Sequence, residues 1–250
     1  MNRLSRLPLA IVALILALAG AGCTGSSQRA LTVFAAASLT RVFTELGARF
    51  EAAHPGVKMQ FTFDGSSGLV DQLKGGAKSD VFASADEKNM TNAATAKLTV
   101  GEPVIFARNV LTLVVPPGNP GKITGLDSSL DGRKLVTCAP EVPCGSATVT
   151  LAKQLAVTLS PVSEESKVTD VLGKVISDEA DAGVVYVTDA KGAGDKVETI
   201  AIPGADQVVN KYPITVLAGA PQPQLATEFI TLVTSSSGRA VLAEAGFLAS

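Results

Sequence analysis

The chain has 250 residues, of which 46% are apolar and 4% aromatic, with no tryptophan and a formal charge of −2. That length holds one α/β domain or two smaller lobes, and either buries enough surface to fold unaided. No basic stripe or Lys/Arg cluster appears, which excludes the electrostatic footprint of a nucleic-acid partner.

Arg3 and Arg6 precede a run from Leu7 to Leu18 that is apolar apart from one proline, and Ala19 to Gly22 are all small. This is the pattern of a secretory signal over residues 1–22. Its apolar core is shorter than the roughly 20 residues of a permanent spanning helix. Small residues ending directly at Cys23 look like a lipobox, in which the cysteine is acylated and becomes the new N-terminus. Gly20 stands where leucine is usual, so ordinary cleavage near Ala21 stays open as the alternative. Residues 23–30 then read as a polar tether.

The strand expected at 31–36 runs straight into Ser38, after which Leu39, Val42, Phe43, Leu46 and Phe50 recur at helical spacing until His54-Pro55-Gly56. Val57, Met59, Phe61 and Phe63 alternate as in a half-buried strand, which runs into Ser66. Leu69, Val70 and Leu73 restart a helix that stops at Gly75-Gly76, a short apolar run follows at 80–84, and Asp86 is placed to cap another helix. An apolar stretch at 104–115, closed by Pro116-Pro117, is too long for one ordinary strand. Beyond it come strands at 134–137, 182–187 and 197–202, a helix after Gly145, another over 168–177, a long strand at 212–217 and helical segments to 247. Alternation of this kind predicts parallel sheets with helices on their faces, and ligands collect where helix N-termini meet strand ends. Two long strands around an α/β insert predict two lobes joined by two crossovers, lobe 1 over 31–108 and 216–250 and lobe 2 over 109–215.

Cys138 and Cys144 flank Ala-Pro-Glu-Val-Pro, and outside the cytoplasm so close a pair oxidises; a disulfide is expected. Ser38 and Ser66 each admit two uses: a plain N-cap, or a hydroxyl aimed with nearby free amides at an anion. A hydrolase is the alternative from another class. The spacing in Asp64-Gly65-Ser66-Ser67-Gly68 fails the nucleophile-elbow pattern, and His54, the single histidine, precedes both Ser66 and Ser67. His54 reads as part of an exposed turn and carries no assignment. One histidine and an expected disulfide pair leave no transition-metal cluster.

The segments 33–40, 63–69, 80–86, 140–145, 182–186 and 245–247 together resemble the extracytoplasmic molybdate-binding proteins of bacterial ABC uptake systems, over essentially all of 30–250. The resemblance implies the type 2 periplasmic-binding-protein fold: α/β, two lobes, two crossover strands. It also implies a binding protein rather than an enzyme. The oxyanion, molybdate or tungstate, would be held by the hydroxyls and amides of Ser38 and Ser66, the amides of Cys144 and Val168 and the phenol of Tyr186, with no cofactor. The implied partners are a membrane permease and, through Cys23, the outer face of the cell membrane, and the implied state is a monomer. Cys144 stands where alanine is common in the family, and Asp64 where a small neutral residue is common. An Asp64 that faced the ion would suit protonated phosphate, which with sulfate is the alternative cargo.

Overall fold

The computed structural model describes residues 29–250. The expected signal, the Cys23 lipidation site and most of the tether lie outside the described residues. β1 (Arg29–Ala36), α1 (Thr40–Ala53), β2 (Val57–Asp64), α2 (Ser66–Lys74), β3 (Val81–Ala83) and α3 (Glu87–Thr95) alternate as expected. β4 (Thr99–Asn109) leads through Val110 into β5 (Leu111–Val115). A second series comprises β6 (Leu135–Cys138), α4 (Pro143–Gln154), β7 (Ser163–Glu165), α5 (Val168–Ile176), β8 (Ala182–Tyr186), α6 (Val187–Ala193) and β9 (Glu198–Ile200). β10 (Asn210–Leu217), α7 (Pro223–Thr234) and α8 (Ser236–Ala245) complete the chain.

The strands form two five-stranded sheets, in the orders β2-β1-β3-β10-β4 and β7-β6-β8-β5-β9. β1 runs parallel to β2 and β3, whereas β10 is antiparallel to β3 and β4. In the second sheet β6 is parallel to β7 and β8, and β5 is antiparallel to β8 and β9. The chain therefore crosses from sheet 1 to sheet 2 at Val110 and returns between β9 and β10.

Each sheet has its own core. In lobe 1 the apolar face of α1 packs Phe43 and Phe50 against Phe229 of α7, edge to face with centroids 5.7 and 5.6 Å apart. Leu242 and Phe247 join the same cluster, so both ends of the described chain build this lobe. Phe34, Leu69, Phe82 and Met90 bury the other face of sheet 1. In lobe 2 α4, α5 and α6 cover the valine-rich strands β6 and β8.

Two expectations shift. Residues 210–215, placed with lobe 2, pair entirely within sheet 1, so the boundary expected at 216 falls inside β10. His54 is half-buried rather than exposed: it stacks on Phe50 with centroids 3.9 Å apart and its Nε2 lies 3.1 Å from a Glu228 carboxylate oxygen. Cys138 and Cys144 are disulfide-bonded, with Cα atoms 5.7 Å apart. That bond spans a turn so tight that a Cβ on Gly145 would lie 1.9 Å from the Ala139 carbonyl oxygen.

Candidate functional site

Four helical segments begin at the seam between the lobes, and none is capped by a side chain. The chain leaves β1 through a 3-10 turn, Ala37–Leu39, that contains Ser38 and leads into α1, with no cap bond at either start. Ser66 is the first residue of α2 behind Gly65, again with no cap bond. In lobe 2, α4 opens with Pro143 and Cys144, and α5 opens with Val168. Amides at such positions have no carbonyl within their own helix to bond. Other helices show the ordinary solution, with Asp86 capping α3 through the Asn89 amide at 2.8 Å and Ser235 capping α8 through Gly238 at 3.1 Å. The two serine hydroxyls are thus not spent as N-caps.

Ser38, Ser66, Cys144, Val168 and Tyr186 all line one small cavity between the lobes. The structure brings together the five residues expected to face the oxyanion, two from lobe 1 and three from lobe 2. All five are buried or nearly so, Ser38 being the most exposed at 9%. Among the described residues no lysine, arginine or histidine lines the cavity. Partial positive charge there comes instead from helix N-termini.

The hydroxyls are held from behind. Ser66 Oγ accepts the Ala85 amide at 3.0 Å, which leaves the serine's own proton free. Ser38 Oγ lies 3.0 Å from the Tyr212 hydroxyl. Tyr186 differs from both: among the described residues its phenol is the one buried side-chain polar atom without a hydrogen-bond partner. Burial, and then the neighbouring Tyr212, Asp86 and Asp189, push that phenol well above the ordinary range, so it stays a protonated donor.

An orphaned buried hydroxyl costs stability until something accepts from it. Tyr186→Phe is therefore expected to act in opposite directions, raising the stability of the ligand-free protein by about 1 kcal/mol and weakening ligand binding about tenfold. Denaturant unfolding and calorimetry on the same preparation check both signs.

Asp64 also reaches the cavity wall, but its carboxylate is engaged. Oδ1 accepts the Gly65 amide at 2.8 Å and Oδ2 accepts the Gln72 side-chain amide at 3.1 Å. Gly65 lies close against the other lobe. A Cβ there would lie 2.1 Å from the Ser166 carbonyl oxygen and 3.4 Å from Val142 Cγ1, both across the seam.

Asp189, on α6, accepts the Tyr186 amide at 3.1 Å. Desolvation pushes its carboxyl up to about 7, against the smaller opposing pull of that hydrogen bond. The folded chain consequently keeps a proton that the unfolded chain releases near the ordinary carboxylate value of 3.8. Stability from this group is full at low pH and is lost as pH rises toward 7. We expect unfolding free energy to fall by on the order of 2 kcal/mol between pH 5 and pH 8, and the fall to vanish in Asp189→Asn.

Sequence reasoning did not reach Ala85, Tyr212 or Gly65, which set these hydroxyls and this seam. Only Gly65 left a signal, as the glycine directly before a serine that opens a helix.

Two α/β lobes clasping a small, donor-lined cavity define a solute-binding protein rather than an enzyme. The chain belongs to the family of bacterial extracellular solute-binding proteins, whose profile matches residues 31–248. It is 48% identical over 220 residues to the molybdate-binding protein ModA of Mycobacterium tuberculosis strain H37Rv, covering 88% of this chain and 84% of that one. It is 31% identical to the ModA of Escherichia coli K12, covering 82% and 83% of the two chains. The fold matches the solved periplasmic molybdate-binding protein of Azotobacter vinelandii with a TM-score of 0.77 at 19% identity, over 88% of this chain and 99% of the other.

Proposed function

We propose that this chain captures molybdate, and tungstate by the same geometry, and delivers it to an ABC permease. The observation that carries the reading is the convergence of four uncapped helical starts from two lobes on one cavity without a cationic side chain. A dianion there gains dipole attraction and charge-assisted hydrogen bonds from neutral donors alone. The ModA relatives supply the identity of the ion. The Ser38 and Ser66 hydroxyls, the Cys144 and Val168 amides and the Tyr186 phenol are the donors in this reading.

The cage discriminates by protonation and by size. Molybdate and tungstate carry no proton at neutral pH, whereas monohydrogen phosphate brings one that needs an acceptor. The nearest carboxylate, Asp64, is turned to the Gly65 amide and the Gln72 side chain. Sulfate is also a bare dianion, and its smaller tetrahedron leaves some donors stretched. Closure of the lobes about the two crossovers completes the donor shell and presents the permease with a distinct surface. Acylation at Cys23 would hold the monomer at the outer face of the cell membrane by a short tether.

A thermal-shift screen against molybdate, tungstate, sulfate, phosphate and chromate, followed by calorimetry, tests the reading. Molybdate and tungstate should give the largest stabilisation. A larger response to sulfate or phosphate would replace the cargo, and no response to any of them would remove the site.

A further inference from the structure

We propose that two asparagines paired at the hinge, Asn109 and Asn210, are positioning residues: each sets the direction of one binding serine's hydroxyl, Asn109 that of Ser38 and Asn210 that of Ser66. The proposal rests on the oxyanion reading of the cavity.

Asn109 ends β4, Asn210 begins β10, and the two are cross-strand partners at the point where the chain passes between lobes. Both are buried, at 1% and 8% exposure, in a place where an amide side chain is kept only if its hydrogen bonds are satisfied. The Val110 amide donates to Asn109 Oδ1 at 3.0 Å, which fixes the way that side chain faces. Its Nδ2 then donates to Thr188 Oγ1 at 2.7 Å, in lobe 2, and to the Tyr212 hydroxyl at 3.5 Å, in lobe 1. A Tyr212 oxygen that accepts from Asn109 turns its own proton toward Ser38 Oγ, 3.0 Å away. Ser38 becomes an acceptor behind and a donor in front.

The second asparagine reaches the second serine through the backbone. Asn210 Nδ2 donates to the Ala85 carbonyl at 3.0 Å, and the Ala85 amide donates to Ser66 Oγ at 3.0 Å. Ser66 is left in the same condition as Ser38, its proton directed at the cavity.

A double-mutant cycle separates positioning from mere structure. Tyr212→Phe keeps the ring among Phe106, Tyr186 and Phe247 and removes only the link. Calorimetry with molybdate should show about a tenfold loss of affinity for Tyr212→Phe alone, and less than about twofold when Ser38→Ala is already present. Asn109→Asp, which replaces the donor with an acceptor, should show the same dependence on Ser38, and Asn210→Asp the corresponding dependence on Ser66. If the aspartate variants fail to fold, Asn109→Ala and Asn210→Ala, which delete the donors without adding a charge, take their places in the same two cycles. Equal losses in both backgrounds, or no loss in the wild-type background, overturn the relay. Each cycle is repeated with tungstate or sulfate if the wild-type protein prefers that ion, so a wrong cargo and a wrong relay give different results. A wild-type protein that takes none of these ions overturns both.

Discussion

Gly65→Ala is expected to weaken oxyanion binding by about 100-fold or more while leaving the unfolding temperature of the ligand-free protein almost unchanged. Gly65 precedes α2 with φ −61° and ψ 139°, a backbone conformation open to any L-residue, so alanine introduces no local strain. The added methyl meets the other lobe instead, 2.1 Å from the Ser166 carbonyl oxygen. Relieving that contact requires the lobes to stand about 1 Å further apart at the cavity, judged from ordinary van der Waals separation. Hydrogen bonds from Cys144, Val168 and Tyr186 to an ion seated on Ser38 and Ser66 would then stretch beyond useful range. Losing even two charge-assisted bonds, at about 1.5–3 kcal/mol each, accounts for the expected drop. Calorimetry beside thermal unfolding checks it, and unchanged affinity would show that the seam yields without cost.

The Ser38→Ala, Ser66→Ala double variant should lose about 100-fold to 10,000-fold in affinity, with a signature unlike that of Gly65→Ala because stability falls as well. Each alanine would remove a donor to the ion and also removes the hydrogen-bond partner of a buried group behind it. The Tyr212 hydroxyl loses its partner in one case and the Ala85 amide in the other. An orphaned buried donor costs about 1–3 kcal/mol, so the ligand-free double variant should unfold at clearly lower denaturant. Wild-type affinity in this variant would remove the proposed site.

Much of this could be read from the residues in order. The strand, serine and helical-period sequence at 31–50 and again at 57–73 placed both serines at helix starts, and Asp86 was legible as a cap because it stands directly before α3. The roles proposed for Cys144 and Val168 were not legible from residue chemistry, since each would rest on a backbone amide; they came from family resemblance. Tyr212 and Ser38 are 174 residues apart, and no local pattern announces a contact made by folding two chain ends into one lobe. The lobe boundary slipped for a related reason. A strand's own side chains do not say which sheet it joins, and β10 pairs with β3 and β4 although it follows the whole of lobe 2. The helix α6 was hidden because Val187 extends the apolar run of β8 without a break.

The contact of Gly65 with Ser166 has a consequence for selectivity. Backbone meets backbone there, with no flexible side chain between, so the jaws have a hard stop. A caliper of this kind cannot tighten onto a narrower object. In the proposed site, an ion that underfills the gap would rattle against donors it could not reach all at once, and rejection by size would reside in where the jaws halt rather than in any group that touches the cargo.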